Sequence, residues 1–478
     1  MEAASNHSGV ENDGTSVSKA LKNPLILNHI FAPLNVPDLK TVHLVCPDWH
    51  DVATNLLGQR SCLNFNKLFR HDGSKLVLVA PEENLVQNVT IRKAFHRSVP
   101  LKNIPGVITE GLILLKSTKI RHISLTNWKY SYLGCRENPV QVCLPVTNLS
   151  IPILPNLTSV KFDLRGNVKR PAFQPLAQAL LKSAPNLTTL NLAAPFYLDL
   201  EGCRHLTVFK FAYIPMAKET LAKFDLAAVT TLLAQVKDSA VEMELRCLGN
   251  GDIYKEIPPT PVDLPVMSKL VSLTVKVSDL YQIQDFFDPE HLPRLKSLHI
   301  IMESHWLLAF PTFLNGWKAH PGVQSLGVEV DPSWAMGDVA GPLTKLFPAV
   351  KRFKFNISVI ITRNMDRLIA PFQAWDLEGA DVVVKCVKEA TLLVQVLTNM
   401  ATWKGVKPVH FGETYIQEDN FSRCVPDIIK LSGGVERVKI SGYEVPEMVA
   451  VIRPMFEGSG APITFTGGVY QIDVINCF

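Results

Sequence analysis

Hydrophobic and polar positions follow two rhythms along this chain, one of period three to four and one of period two. The helical rhythm comes first, over residues 23–57, NPLILNHIFAPLNVPDLKTVHLVCPDWHDVATNLL. Pro24 opens a helix where a missing amide costs least and φ is already helical. Leu27, Ile30, Phe31 and Leu34 make its apolar face, and Pro33 helps to stop it. Pro37 opens a second helix, with the charge of Asp38 at its positive end and Leu39, Val42, Leu44 and Val45 as apolar positions. Pro47 starts a third, from which Trp49, Val52, Ala53 and Leu56 project. A unit this short buries little apolar surface by itself. Part of its apolar side needs a partner.

The period-two rhythm follows as a repeated aliphatic-x-x-apolar-x-apolar pattern. It occurs at Ile120-Ile123-Leu125, Leu157-Val160-Phe162, Leu187-Leu190-Leu192, Leu206-Phe209-Phe211 and Leu270-Leu273-Val275. It continues at Leu295-Leu298-Ile300, Val323-Leu326-Val328, Val350-Phe353-Phe355, Val406-Val409-Phe411 and Val435-Val438-Ile440. Many starts lie roughly 25 to 30 residues apart, the spacing of a leucine-rich repeat, with room for less regular units around Val241 and Val382. Between them, helical stretches begin at Pro175, Glu219, Gly341, Glu389 and Val445. Strand and returning helix, repeated, predict a stack with parallel strands on a concave side and helices on a convex side. Cys62–Phe65, residues 76–79 and Val89-Thr90-Ile91 read as short strands of a junction with degenerate first repeats. Ile463-Thr464-Phe465 and residues 469–472, separated by Gly467-Gly468, read as a closing hairpin.

The order P-L-I-L-x-x-I-F-x-x-L, D-L, L-V-C-x-x-W-x-x-V-A resembles the F-box, and the step Leu44-Val45-Cys46 followed by Trp49 is its most specific part. Leu25 stands where the family usually has an acidic residue. With the repeats behind it, most of the chain resembles F-box proteins with leucine-rich repeats. The resemblance implies an α/β fold in which a small all-α F-box precedes a leucine-rich-repeat solenoid. The expected order is a tail over 1–20, disordered on its polar composition, an F-box over 21–60, a junction over 61–118, and the solenoid with its cap over 119–478. It further implies a Skp-type adaptor and, through it, a cullin ligase as partners. Pro24, Leu27, Ile30, Phe31, Leu34, Leu39, Val42, Leu44, Val45, Trp49 and Val52 are then the F-box core or adaptor-binding residues, undivided between the two roles.

Composition narrows the remaining classes. The 47% hydrophobic and 19% charged residues belong to a folded chain, and a net charge of +4 over 478 residues makes no case for nucleic acid. Nine cysteines, without a C-x-x-C pair, fit a reducing compartment better than a disulfide framework. The start MEAASNHSGVENDG has no signal-peptide core and no run is long enough to span a membrane, which points to the cytoplasm, the nucleus also being open. His43, Cys46 and His50 have the spacing of metal ligands, but Pro47 interrupts their helix and Cys46 belongs to the apolar pattern. Phosphate-loop, nucleophile-elbow and zinc-protease motifs are absent, the glycines near Gly249 and Gly458 read as turns, and Glu418-Asp419 reads as a loop pair. No catalytic constellation and no cofactor is expected.

Strand positions between the buried ones should line the concave surface. They carry Lys161, Lys210, Lys276, Arg352, Lys354, Arg437 and Lys439 with His122, His299 and His410, against Asp163 and Glu329. A face of one sign can hold an acidic or phosphorylated segment of a target; the bland alternative is a solvated sheet with chance charge. Trp317, Trp375 and Trp403 are expected in the core, and Trp128, Trp306 and Trp334 as weak rim contacts. The expected function is therefore target recognition in a Skp-cullin-F-box ubiquitin ligase without catalysis by this chain. The rivals are a repeat scaffold without ubiquitin transfer and an enzyme-inhibiting binding protein.

Overall fold

The computed structural model describes residues 20–72, 75–79, 83–92, 104–115, 118–126, 150–164, 173–214, 225–247, 264–276, 287–302, 314, 316–330, 340–358, 365–385, 387, 389–414, 418–443 and 446–468. They form a mixed α/β fold in two compact units, Met1–Ala194 with Gly202–His205, and Pro195–Glu201 with Leu206–Phe478.

The first unit begins with helices α1 (Pro24–Phe31), α2 (Val36–Val42) and α3 (Pro47–Arg60). Asn23 caps α1, its side chain accepting from Leu25 N at 2.9 Å, and Asn35 caps α2 by accepting from Asp38 N at 2.9 Å. That cap sets the start of α2 at Val36, one residue before the expected Pro37. Strands β1 (Leu63–Asn64), β2 (Phe69–Asp72), β3 (Lys75–Leu78) and β4 (Asn88–Arg92) follow, then α4 (Ile104–Leu115), β5 (His122–Thr126), β6 (Ser159–Asp163), α5 (Phe173–Ser183) and β7 (Thr189–Ala194). β1, β4, β5, β6 and β7 form a parallel ladder in that order. β2 and β3 instead pair with each other, antiparallel, in register Phe69↔Leu78. The expected strand at Cys62–Phe65 is shorter than its pattern, because Phe65 opens a 3-10 turn and is fully buried.

The second unit is one longer ladder: β8 (Val208–Tyr213), α6 (Leu226–Val236), β9 (Glu242–Cys247), β10 (Ser272–Lys276), β11 (Ser297–Met302) and β12 (Ser325–Val330). It continues with α7 (Ala340–Leu346), β13 (Arg352–Ser358), α8 (Met365–Ile369), β14 (Gly379–Lys385), α9 (Ala390–Ala401) and β15 (Pro408–Thr414). It ends with α10 (Glu418–Ser432), β16 (Arg437–Tyr443), α11 (Pro446–Glu457) and β17 (Ile463–Gly468). Each strand pairs in parallel with the one before it in sequence, the solenoid-like arrangement in which a repeat touches only its neighbours. The irregular units near Val241 and Val382 are strands β9 and β14. Glu418-Asp419 opens α10, where acidic side chains suit the helix dipole, and is not a loop pair. Gly467 and Gly468 pair with Gly442 and Tyr443 inside β17, so they are no hairpin turn, and residues 469–472 lie outside the described residues.

The second residue of each pattern pair faces a packed interior. Leu273, Leu298, Leu326, Phe353, Val409 and Val438 are all buried, and each apolar side chain so sealed contributes about 1.5 to 3 kcal/mol. Between β13 and the helices that follow, Phe353 meets Phe372 at 4.5 Å, Trp375 at 5.0 Å and Trp403 at 6.0 Å between ring centres. Trp317, Trp375 and Trp403 are thus core residues; Trp128, Trp306 and Trp334 lie outside the described residues.

Successive repeats are also tied by side-chain donors. Asn186 Nδ2 donates to Pro155 O at 2.9 Å, Asn156 Nδ2 to Thr118 O at 2.6 Å, His320 Nε2 to Leu292 O at 3.0 Å and Trp375 Nε1 to Phe347 O at 2.9 Å. Asparagine, histidine and tryptophan do one job here, satisfying a carbonyl of the preceding repeat. Asp288, 2% exposed, makes a similar tie: it accepts from His291 N and Nδ1, both at 2.8 Å, and from Lys318 Nζ at 3.1 Å.

Burial pushes the Asp288 carboxyl up, but the hydrogen bonds from His291 and Lys318 outweigh it and hold the group below its ordinary value. A lowered folded-state value stabilises above the unfolded one, about 3.9, and that stability is lost as pH falls through the folded value. Asp288→Ala should therefore cost about 1 to 3 kcal/mol at pH 7, and the gap from wild type should narrow below about pH 4. Chemical denaturation midpoints across that range are the measurement.

Candidate functional site

Two surfaces carry the sequence-derived site residues, one on α1–α3 and one on the polar face of the second ladder. In the helical unit, Leu27 and Leu39 are fully buried and Phe31 is 2% exposed, forming one cluster with Leu56 and Leu57 of α3. Leu34, Val36, Val42, Trp49, Val52 and Leu85 pack around it. Trp49 lies edge-on to Phe31 at 5.2 Å, and its Nε1 donates to Leu21 O at 3.1 Å, so it is a half-buried residue at the core's margin with a backbone tether. Arg60 donates from both guanidinium ends to Leu34 O and Ala32 O, closing the carbonyl end of α1.

α3 is also the attachment to the rest of the first unit. Gln87 Nε2 donates to Asn55 Oδ1 at 2.9 Å, and Asn88 Nδ2 to Gly58 O at 3.0 Å and Gln59 O at 2.9 Å. A Cβ on Gly58 would lie 2.0 Å from Asn84 O, which is why a glycine stands there. With α3 holding the cluster from one side, Leu25 is left 82% exposed, Ile26 41%, Ile30 46%, Leu44 81% and Val45 57%. The list of eleven residues therefore divides. Leu27, Phe31 and Leu39 are core; Leu34, Val42, Trp49 and Val52 are its margin; Ile30, Leu44, Val45 and the rim of Pro24 face outward. Leu25 and Ile26, outside that list, join the exposed set. Their signal was present: PLILNHIF has more apolar residues than one buried stripe can use.

Cys46, the N-cap position of α3, makes no side-chain cap bond, while the rings of His43 and His50 lie 4.0 Å apart between centres, tilted by 38°. Among the described residues no group of three or more His, Cys, Asp or Glu could hold a metal ion. Among the described cysteines, Cys46, Cys62 and Cys424 are free thiols. No described helix is long and apolar enough to cross a membrane.

The polar face of the second ladder is less uniform than its sequence pattern. Lys276 is 3% exposed, and its Nζ donates to Cys247 O at 2.8 Å, so it is part of the packing and no surface contact. Lys210 pairs with Glu242 at 2.6 Å, and Arg246 with Glu244 at 2.6 Å. His299 lies 3.9 Å from Glu329; burial lowers its pKa first, Glu329 and Glu244 pull it up, and Arg246 and Lys354 push it down. Glu242, Glu244 and Arg246 were missed because β9 fits the repeat pattern poorly, and Asp381 and Lys385 because β14 does. Lys161 sits on β6 of the first unit, where burial and then Lys161 itself lower the pKa of His122.

What remains is a basic cluster on β13–β16. Arg352, Lys354, Lys385, Arg437 and Lys439 are exposed, Asp381 is the acidic residue facing with them, and His410 is half-buried among them. The register places Lys354 beside Asp381, Pro408 beside Arg437, and His410 beside Lys439. None of the five cations is in an ion pair among the described residues.

The buried position of Lys276 can be separated from the exposed one of Lys439. Lys276→Glu should cost about 3 kcal/mol or more, as reversal of a buried charge does. Lys439→Glu should stay within about 0.5 kcal/mol. Chemical denaturation of the two variants decides whether Lys276 belongs to the packing. No known protein-family model matches the chain, and no curated protein does.

Proposed function

We propose that the chain is a non-catalytic target-recognition subunit of a Skp-cullin-F-box ubiquitin ligase, with α1–α3 as an F-box and the strand ladders as a leucine-rich-repeat solenoid that holds a target. The observation that carries the reading is the divided apolar surface of the helical unit. Its core is closed by α3, yet Leu25, Ile26, Ile30, Leu44 and Val45 stay in water. Large apolar side chains grouped on one small unit mark an interaction site. The motif that resembles the F-box gives that site a Skp-type adaptor as its partner.

The mechanism requires no reactive group in this chain. An adaptor seated on α1–α3 tethers the ladders to a cullin complex, and a target held on their polar face meets a ubiquitin-charged enzyme at high effective concentration. The expected compartment is the cytoplasm, with the nucleus also open. A scaffold or an enzyme inhibitor built on the same ladders would bind its partners without capturing a Skp-type adaptor.

Capture of a purified Skp-type adaptor by the full chain tests the proposal. Ile30→Lys combined with Leu44→Lys changes exposed positions, so folding should persist while adaptor capture falls by tenfold or more. Trp49→Ala is a poor substitute because it also opens the core beside Phe31. Absence of capture by the wild-type chain, or capture indifferent to the double substitution, would refute the reading.

A further inference from the structure

The cluster on β13–β16 is the part of the ladder whose positive charge is left uncompensated. Towards β8–β12, charge is matched locally by Glu242, Glu244 and Glu329. On β13–β16 the outward strand positions with described side chains carry five cations and one acidic residue, Asp381. With strands about 4.8 Å apart and residues about 3.3 Å apart along them, the register keeps Lys354, Lys385, Arg437 and Lys439 within roughly 17 Å of one another, with Arg352 at the margin. Long Lys and Arg side chains from different strands can then reach one extended segment laid across them.

His410 sits in the middle of that cluster, beside Lys439 in register. Its ring lies 2.8 Å from Ser441 Oγ, half-buried between β14 and β16. Burial lowers its pKa first, then Lys439, and Lys385 and Arg437 lower it further, while Asp381 pulls the other way. Lys385 on one side of β15 and Arg437 and Lys439 on the other therefore all act at this one imidazole.

We propose that β13–β16 form a binding site for a phosphorylated segment of a partner protein, with Lys354, Lys385, Arg437 and Lys439 directed to phosphate oxygens beside His410. The inference deepens the target-holding half of the function proposed above and rests on it for the ligand being a protein segment. A phosphoryl group near neutral pH carries close to two charges on three acceptor oxygens, so it satisfies several cationic donors together. A carboxylate brings one charge and would leave most of the cluster uncompensated. Nucleic acid is disfavoured because a patch of about 17 Å reaches only a few backbone phosphates, and the net charge of the whole chain is +4.

The test uses the full chain and a fluorescein-labelled Gly-Ser-Glu peptide bearing a pair of phosphoserines, read by anisotropy between about 50 and 200 mM salt. Its unphosphorylated form, its form with glutamate at both sites, and an oligothymidine of similar length are the comparison probes. The phosphopeptide should bind at least tenfold tighter than the other peptides, more weakly as salt rises. Lys354→Glu, Arg437→Glu and Lys439→Glu together should weaken it at least tenfold. The same three positions changed to Gln, which are gentler on the fold, should weaken it in the same direction by a smaller factor. Lys182→Glu, Lys237→Glu and Lys269→Glu together, an equal change of charge at exposed positions elsewhere, should alter it less than twofold. Absence of phosphopeptide binding, equal binding of the glutamate form, equal loss in the control variant, or preferential cluster-dependent binding of oligothymidine would each overturn the proposal. Adaptor capture through Ile30 and Leu44 is read separately, so failure of one reading leaves the other standing.

Discussion

Parallel pairing is the constraint on which this molecule depends. A strand in a parallel ladder satisfies its backbone only when a neighbour lies on each side, and consecutive parallel strands must be joined by a chain that leaves the sheet and returns. That requirement fixes the rest. The return segments bring Leu392, Val396 and Phe421 over one side of the strands, while most side chains of the opposite parity stay at least partly in solvent. The ties through Asn156, Asn186, His320, Trp375 and Asp288 serve the same end, since each repeat is held mainly by its neighbours.

Regular register also organises charge. Because β13 and β14 stay in step through seven residue pairs, Lys354 stands beside Asp381 and Lys385 beside Ser358, while β15 and β16 set His410 beside Lys439. Identical pairing across β8 and β9 sets Lys210 against Glu244 and Val208 against Glu242, and the charges there cancel in pairs. The two ends of the second ladder thus share a backbone and differ in field. A ligand of negative charge is attracted to one of them far more than to the other.

The helical unit works by a division of its apolar residues. α1 and α2 give Leu27, Phe31 and Leu39 to a shared core, and α3 closes that core and anchors it through Asn55, Gly58 and Gln59. Anchoring from one side frees the opposite side. A rigid base under exposed Ile30 and Leu44 is the condition for docking without prior ordering of the site, which keeps the entropic cost of association low.

The sequence alone determined the elements of period two and period three to four, because burial of alternate residues on a strand and of one stripe on a helix is written directly in residue order. The ten regular repeats, the three N-terminal helices and the core tryptophans 317, 375 and 403 were legible for that reason. Tertiary structure decided matters that depend on what lies across space. Lys276 occupies an outward position by parity yet is sealed beside Cys247, and Lys210 finds Glu242 on a strand whose pattern was too weak to read. Gly467-Gly468 has the composition of a turn, but pairing with β16 keeps it extended. The split of eleven apolar residues into core and exposed sets likewise followed only once α3 was in place, since periodicity identifies an apolar face but not how much of it a neighbour will cover.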